Sequence, residues 1–423
     1  PPRSTLFPYT TLFRSSVDHR GMLRHDARAH PGHGGGSRAA ALTGEPGGNN
    51  MLYWIAPYLT TLWGPFRLFS SHLMLLAAAT LTSGLVVWAF LPRLWHVLPT
   101  DKGKILAPDG GLLSIGKPTG AGLLISLLCV PVLVLFVPMG RWELGVVVCL
   151  YFCMLFGFLD DRSSTPWGEL RKGLLDLAVA LAAAFFLYQE QGGRLWLPFI
   201  KYVVDVPLAI YVPGAAMLLW FTMNATNCSD GVDGLAGTLT LLSLFALAAL
   251  LYGVIGYRPI ASYLLIPHSP DGARWAILVA SVAGALAGYL WHNAEPSRVL
   301  MGDAGSRLLG MLVGVAVLAA GNPFLIFVVS PVVLVNGGTG LFKLVLLRGF
   351  RRIGFDVRPT HTLAPQEVEK QLVLVKALHS IRFPLHDHCR KNMHWSNAQV
   401  LMRFALVQSF LTPLLFVVLV KIR

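Results

Sequence analysis

Residues 224–255 read NATNCSDGVDGLAGTLTLLSLFALAALLYGVI. The second part, 236–255, is twenty residues without a charged side chain, about the length that crosses a bilayer as a helix. The first part, 224–234, sets two amides (Asn224, Asn227) and two carboxylates (Asp230, Asp233) within eleven residues, with glycines that permit a tight turn. An apolar run abutting such a cluster describes a membrane helix whose polar end lies at the water–lipid boundary. Working outward, further apolar stretches fall at 73–91, 121–138, 144–160, 173–188, 205–221, 274–292, 308–320, 323–347 and 400–420. The stretch at 308–320 is short, and 205–221 carries Pro207 and Pro213. Ten spans are predicted in all.

Composition agrees. The chain is 54% hydrophobic and 13% charged, against about 25% charged in soluble domains. Hydrocarbon leaves backbone groups no water, so spans must be helices or closed barrels, and the alternation of a barrel strand is absent. The predicted fold is all-α: a polytopic membrane protein of about ten helices with a cleft on the cytoplasmic side.

The net charge of +13 does not point to nucleic acid, because the basic residues fall in alternate loops. Arg93, Lys102, Lys104 and Lys117 form one group, Arg162, Arg171 and Lys172 the next, then Arg298 and Arg307, then the segment 348–399. The opposite loops hold only Arg141, Arg194, Lys201, Arg258 and Arg274. The positive-inside rule puts the first set in the cytoplasm. Both ends of the bundle then face outward.

Residues 1–50 differ in kind. They are rich in Arg, His and Gly, lack a sustained apolar run, and read as a disordered or non-native tail. The working domain is therefore 51–423. It opens on the aromatic-rich Met51, Tyr53, Trp54, Trp63, Phe66 and Phe69, read as an interfacial segment. Within 348–399, residues 366–381 place Val368, Leu372, Leu374, Val375 and Leu378 at helical spacing, as a helix lying on the membrane surface would. Cys129, Cys149, Cys153, Cys228 and Cys389 have neither zinc-site nor disulfide spacing.

Four polar clusters fall at helix ends of the same parity. Asp160–Asp161 closes the third span, where two carboxylates can hold a cation or take a proton, or simply mark a solvated helix end. The run from Asn224 to Asp233 suits a sugar, a base edge, ribose hydroxyls or a metal, or is a plain polar loop. Asp303, in Met301-Gly302-Asp303-Ala304-Gly305-Ser306, lies between small residues before the eighth span. It suits an oxygen-ligated cation such as Mg²⁺, or the N-cap of that helix. His386-Asp387-His388-Cys389-Arg390-Lys391 lacks HExxH spacing. Its cations suit phosphate and its imidazole–carboxylate pairs suit proton handling, or it is a solvated turn. Lys117-Pro118-Thr119-Gly120 opens the second span, where free N–H groups favour anions.

Together, GFLDD (157–161), NATNCSDGVDGLAG (224–237), MGDAGS (301–306) and PLHDH (384–388) resemble the polyprenyl-phosphate N-acetylhexosamine-1-phosphate transferases. The resemblance runs from Met51 to Arg423 and is strongest to the branch that handles phospho-N-acetylmuramoyl-pentapeptide. It implies transfer of that group from UDP-N-acetylmuramoyl-pentapeptide to undecaprenyl phosphate, with Mg²⁺, giving lipid I and UMP. The implied setting is the cytoplasmic face of a bacterial inner membrane, in peptidoglycan synthesis. It further implies that Asp303 is the metal ligand, that Asp160 deprotonates or orients the lipid phosphate, and that Asp161 supports that site. Asn227, Asp230 and Asp233 would line the nucleoside-binding and catalytic cleft, with Asn224 and Asn293 beside them. Lys172 would match a family lysine, and His386 the first residue of a three-histidine motif that continues to His388. Lys117 and Thr119 would meet substrate phosphate. The partners expected are the two substrates and membrane lipid, without nucleic acid; a homodimer is compatible with all of this.

The chain departs from the family pattern at Asp387, Ser114, Ser164 and Leu300, which replace a histidine, two lysines and an aromatic. A related transferase acting on UDP-N-acetylglucosamine would share the carboxylates, and 380–396 is where the two should differ. A transporter would carry ionisable residues within its spans. Here Asp176, one turn inside the fourth span, is the clearest candidate.

Overall fold

The computed structural model describes residues 51–101, 114–163, 165, 167–358 and 371–422, all within the unit Pro46–Arg423. The tail at 1–50, together with Lys102, Lys104, Ser164 and Val368, lies outside the described residues.

Helices dominate. In chain order they are α1 (Met51–Leu62), α2 (His72–Leu94), α3 (Gly122–Phe136), α4 (Arg141–Arg162) and α5 (Glu169–Gln191). A short antiparallel ribbon of β1 (Arg194–Trp196) and β2 (Val203–Asp205) follows. Then come α6 (Leu208–Ser229), α7 (Leu235–Leu250), α8 (Arg258–Tyr263), α9 (Gly272–Asn293) and α10 (Gly302–Ala319). The chain ends with α11 (Leu325–Val329), α12 (Pro331–Val333), α13 (Thr339–Arg352), α14 (Val373–Ser380), α15 (Leu385–Lys391) and α16 (Asn397–Ile422). Among the described residues, eight helical segments are long and apolar enough to cross a membrane. The protein is a polytopic all-α membrane protein. Of the other two expected spans, α3 is only fifteen residues long. The other, α5, has the length but opens on Glu169, Arg171, Lys172 and Asp176.

The centre of the bundle is α9 and α10, with 83% and 89% of their apolar stretches buried, whereas α16 is 11% buried and faces outward. Close backbone approach explains how α9 reaches that position. Gly284 and Gly288 form a small-xxx-small face, and a Cβ on Gly284 would lie 2.0 Å from the Thr80 carbonyl oxygen of α2. Ser83 Oγ donates to the Ser281 carbonyl across the same crossing at 2.6 Å.

Three boundaries differ from the sequence reading, each next to the polar clusters. Helix α10 begins at Gly302 rather than at 308, so Asp303 and Arg307 are helical and Arg307 is not a loop residue. An apolar-run criterion cannot find this turn, because its N–H groups are satisfied by a carboxylate from another helix, described below. Helix α6 continues past 221 to Ser229, which makes Asn224 and Asn227 helical as well. The expected single span 323–347 is instead broken at Ser330–Pro331 and continues through a π-helical turn, Leu334–Gly338, into α13. Proline supplies no N–H to the preceding turn, which accounts for the break. Of the stretch 366–381, Val373–Ser380 is helical (α14), with Val375 buried and Val373 and Leu374 exposed; 366–370 lie outside the described residues.

Candidate active site

The C-terminus of α4 meets the N-terminus of α10, and this junction organises the site. Asp161 Oδ1 accepts from the Asp303 N–H and its Oδ2 from the Ala304 N–H, both at 3.1 Å. A carboxylate from one helix thus caps another, satisfying orphan donors and facing the positive end of the α10 dipole. The approach needs Gly302, which has φ +69° and whose Cβ would lie 2.4 Å from Asp161 Oδ2. Asp303 itself is not the cap.

Its neighbour Asp160 is buried, accepts from the Trp167 N–H at 2.9 Å, and pairs closely with Lys172 of α5. Lys172 Nζ also lies 3.5 Å from Asp303 Oδ2. On the other side, Arg307 Nη2 donates to Asp303 Oδ2 at 3.2 Å while its Nη1 donates to Asp176 Oδ1 at 3.1 Å. Asp176 and Arg307 are both buried, so the in-span acid is half of an ion pair. Asn224 lies against Asp176 and donates to the Trp220 carbonyl at 2.8 Å. Asn227 Oδ1 accepts from Ser306 Oγ at 2.9 Å, which ties the end of α6 to α10.

A second cluster flanks the α6–α7 turn. Asp233 Oδ2 accepts from the Ser297 N–H at 3.1 Å and lies 3.8 Å from Lys117 Nζ, which donates to Ser297 Oγ at 3.0 Å. Asn293 accepts from the Gly234 N–H and donates to the Val299 carbonyl, each at 2.8 Å, and so fastens this turn to α9. Thr119 is half-buried, with its N–H donated to the Pro99 carbonyl. Asp230 ends α6, its N–H donated to the Asn227 carbonyl.

Beside that turn stands His386, buried at 3% exposure. A Cβ on Gly231 would lie 2.2 Å from His386 Nε2, so ring and turn are in contact. His388 is half-buried and turned to a different partner, the Arg382 N–H at 3.4 Å. Of the expected site residues, Asp160, Asp161, Asp303, Lys172, Asn224 and Asn227 therefore form one cluster. Asp233, Lys117 and Asn293 form another, and Asp230 and His386 line the turn between them. His388 lies off to the side.

This array can bind anions and a cation at once. Lys172, Arg307 and Lys117 are placed to screen phosphate charge. Asp160, Asp161, Asp176 and Asp303 formally exceed Lys172 and Arg307 by two negative charges, an excess that one divalent ion would balance. No group of three or more His, Cys, Asp or Glu side chains among the described residues is placed to hold a metal. The excess of carboxylates around Asp303 suits a hard cation that takes one or two of them and completes its shell with diphosphate oxygens and water.

Sequence reasoning missed Arg307, Asn336 and Trp167. The signals were present for two of them: Arg307 lies at i+4 from Asp303 on a helix, and Asn336 is a lone amide in an apolar run. Asp161 is expected to act on stability as well as on the site. Asp161→Ala leaves two N–H groups without an acceptor and should cost about 1–3 kcal/mol. Asp161→Asn keeps one acceptor oxygen and should lose less; thermal unfolding of the detergent-purified proteins ranks the two.

Comparison with known proteins is consistent with this geometry. The pattern of glycosyl transferase family 4 matches residues 143–321, which contain the first cluster and Asp233 and Asn293 of the second, but neither Lys117 nor His386. A phospho-N-acetylmuramoyl-pentapeptide-transferase of Treponema pallidum subsp. pallidum is 42% identical over 372 residues, covering 87% of this chain and 96% of the relative. The protein of the same description from Treponema pallidum (strain Nichols) matches equally. One from Bartonella quintana (strain Toulouse) is 31% identical over 346 residues, covering 78% of this chain and 88% of the relative. With the carboxylate junction in place and this identity along most of its length, the chain belongs to the phospho-N-acetylmuramoyl-pentapeptide-transferase family.

Proposed function

We propose that the chain transfers phospho-N-acetylmuramoyl-pentapeptide from its UDP-activated donor to undecaprenyl phosphate, releasing UMP and forming lipid I. The reaction would take place at the cytoplasmic leaflet of a bacterial inner membrane, with 51–423 as the transferase domain. The observation that carries this reading is the junction of α4, α5 and α10, where Lys172 lies between Asp160 and Asp303 and Arg307 backs Asp303 from below.

The chemistry follows from charge. An oxygen of the lipid phosphate forms a bond to the sugar-proximal phosphorus of the donor as the bond from that phosphorus to the UMP oxygen breaks. Both reactants are anions, so cations must screen their approach and the charge on the departing UMP. Lys172 and Arg307 do this from the protein side. Asp160, held by Lys172 and the Trp167 N–H, orients the lipid phosphate and accepts any proton it still carries. Asp303 is the residue that would hold Mg²⁺, and the bound ion's contribution is to neutralise the diphosphate. Asn227, Asp230 and Asp233 line the nucleoside side of the cleft with Asn224 beside them. Asn293 holds their turn in place, and Lys117 and Thr119 face the phosphates from the α3 side. His386 closes the far wall beside the Gly231 turn.

The test is a two-donor assay with and without Mg²⁺. Labelled lipid product and UMP are expected from UDP-N-acetylmuramoyl-pentapeptide and not from UDP-N-acetylglucosamine. Product from the second donor alone would reassign the enzyme to the related sugar-1-phosphate transferases.

A further inference from the structure

We infer that Asn336 is a positioning residue that fixes the tautomer of His386 and so turns the Nε2 lone pair toward the Asp230–Asp233 turn. The inference rests on the function proposed above, and it concerns a side chain on the broken helix between α12 and α13. Asn336 sits in the π-helical turn Leu334–Gly338 and is fully buried. A π turn carries one extra residue, which re-aims a side chain out of the regular helical face. Here that residue reaches α15.

The deduction follows from donors and acceptors. Asn336 lies 2.9 Å from the His386 backbone nitrogen. A backbone N–H can only donate, so the amide atom facing it is the acceptor Oδ1 and the orientation of the amide is settled. The same Oδ1 is 3.1 Å from His386 Nδ1. An oxygen acceptor there requires the proton on Nδ1, so in the neutral ring Nε2 bears the lone pair. Nε2 is the atom in contact with Gly231, between Asp230 and Asp233. A second observation marks the position as constrained: Asn336 Nδ2 is buried and has no hydrogen-bond partner among the described residues. A leucine-like side chain would avoid that cost, so what the amide contributes here is its oxygen.

The charged and titratable groups around the ring are few. Asp387 Oδ1 lies 4.0 Å from Nε2 on the same helix. Asp230 and Asp233 flank Gly231 on the turn. From α13, Lys343 is held away by the Ile381 carbonyl at 3.1 Å. From α16, Arg403 faces Cys389. The π turn contributes only Asn336.

Two substitutions and one spectrum test the assignment in the full-length protein. Asn336→Leu removes the acceptor; kcat is expected to fall roughly 10–100-fold with little change in KM for the UDP donor. Asn336→Asp keeps both hydrogen bonds and adds a negative charge that favours the imidazolium. The limb of the pH–rate profile set by His386 should therefore move to higher pH, by about one unit, and turnover at pH values below it should drop. A purely structural amide would lower stability without moving that limb. Independently of turnover, ¹⁵N-histidine NMR at neutral pH should give a signal of the Nδ1–H tautomer that disappears in His386→Gln. Superimposable pH profiles for Asn336→Asp and wild type, or an Nε2–H tautomer for His386, would overturn the inference. Loss of all transfer activity in the wild type would instead strike the proposed function, leaving the NMR result to judge the tautomer alone.

Discussion

Asp303→Asn is expected to yield a folded protein whose turnover is down roughly 10³-fold and no longer rises with added Mg²⁺. Folding should survive because the substitution keeps shape and leaves the neighbouring pairs intact. Lys172 retains Asp160, Arg307 retains Asp176, and the α10 N-terminus retains its cap on Asp161. What is lost is one unit of negative charge at the point where four carboxylates outnumber two cations. The amide oxygen is a far weaker ligand for a hard cation than a carboxylate. The measurements are UMP release across a Mg²⁺ titration and thermal unfolding of the same preparation. A variant whose Mg²⁺ response matches the wild type would remove Asp303 from the metal-binding role. A variant that fails to fold would show that the side chain's main work is in the Arg307 pair.

Much of this architecture could be read from residue order, and the failures share one physical cause. Long apolar runs such as 236–255 and 274–292 report helices buried in hydrocarbon, and both appear as α7 with its π turn and as α9. The polar clusters were legible as clusters, because an amide-and-acid run without lysine or arginine is rare beside a span. Their secondary structure was not legible. Asn224, Asn227, Asp303 and Arg307 are all helical, yet each lies beyond the span ends predicted from the apolar runs, because loss of hydropathy was taken to mark the end of a span. In this protein the helices continue beyond the apolar runs, since partners from other helices satisfy the polar residues there. Asp161 caps α10, Ser306 meets Asn227, and Arg307 meets Asp176. Each of those partners lies 79 or more residues away in sequence, so no local pattern announces them. The broken helix at Ser330–Pro331 carried a local signal in its proline, but the π turn that brings Asn336 to His386 depends on a contact 50 residues away.

The most damaging single substitution is expected to be Arg307→Leu. Its guanidinium joins Asp176 on α5 to Asp303 on α10, and the side chains of Arg307 and Asp176 are only 4% and 2% exposed. Removing the cation strands the Asp176 carboxylate inside the bundle, at a cost of about 3–5 kcal/mol. That is a large share of the roughly 5–15 kcal/mol by which folded domains are stable, so the variant should be recovered in low yield with a sharply reduced Tm. Replacing both partners, as Arg307→Leu with Asp176→Leu, exchanges the ion pair for apolar contact. A buried pair is often about neutral against well-packed apolar residues, so most of the lost stability should return. Turnover should not return with it. The double variant still lacks the cation behind Asp303 that screens the two anionic substrates, and its kcat should remain down on the order of 10²-fold. Thermal unfolding and UMP release on the same three proteins separate the two roles. Wild-type stability in Arg307→Leu would mean that the bridge does not hold α5 to α10. Recovery of turnover together with stability in the double variant would mean that Arg307 serves only to neutralise Asp176 and leaves charge screening to Lys172 and Lys117.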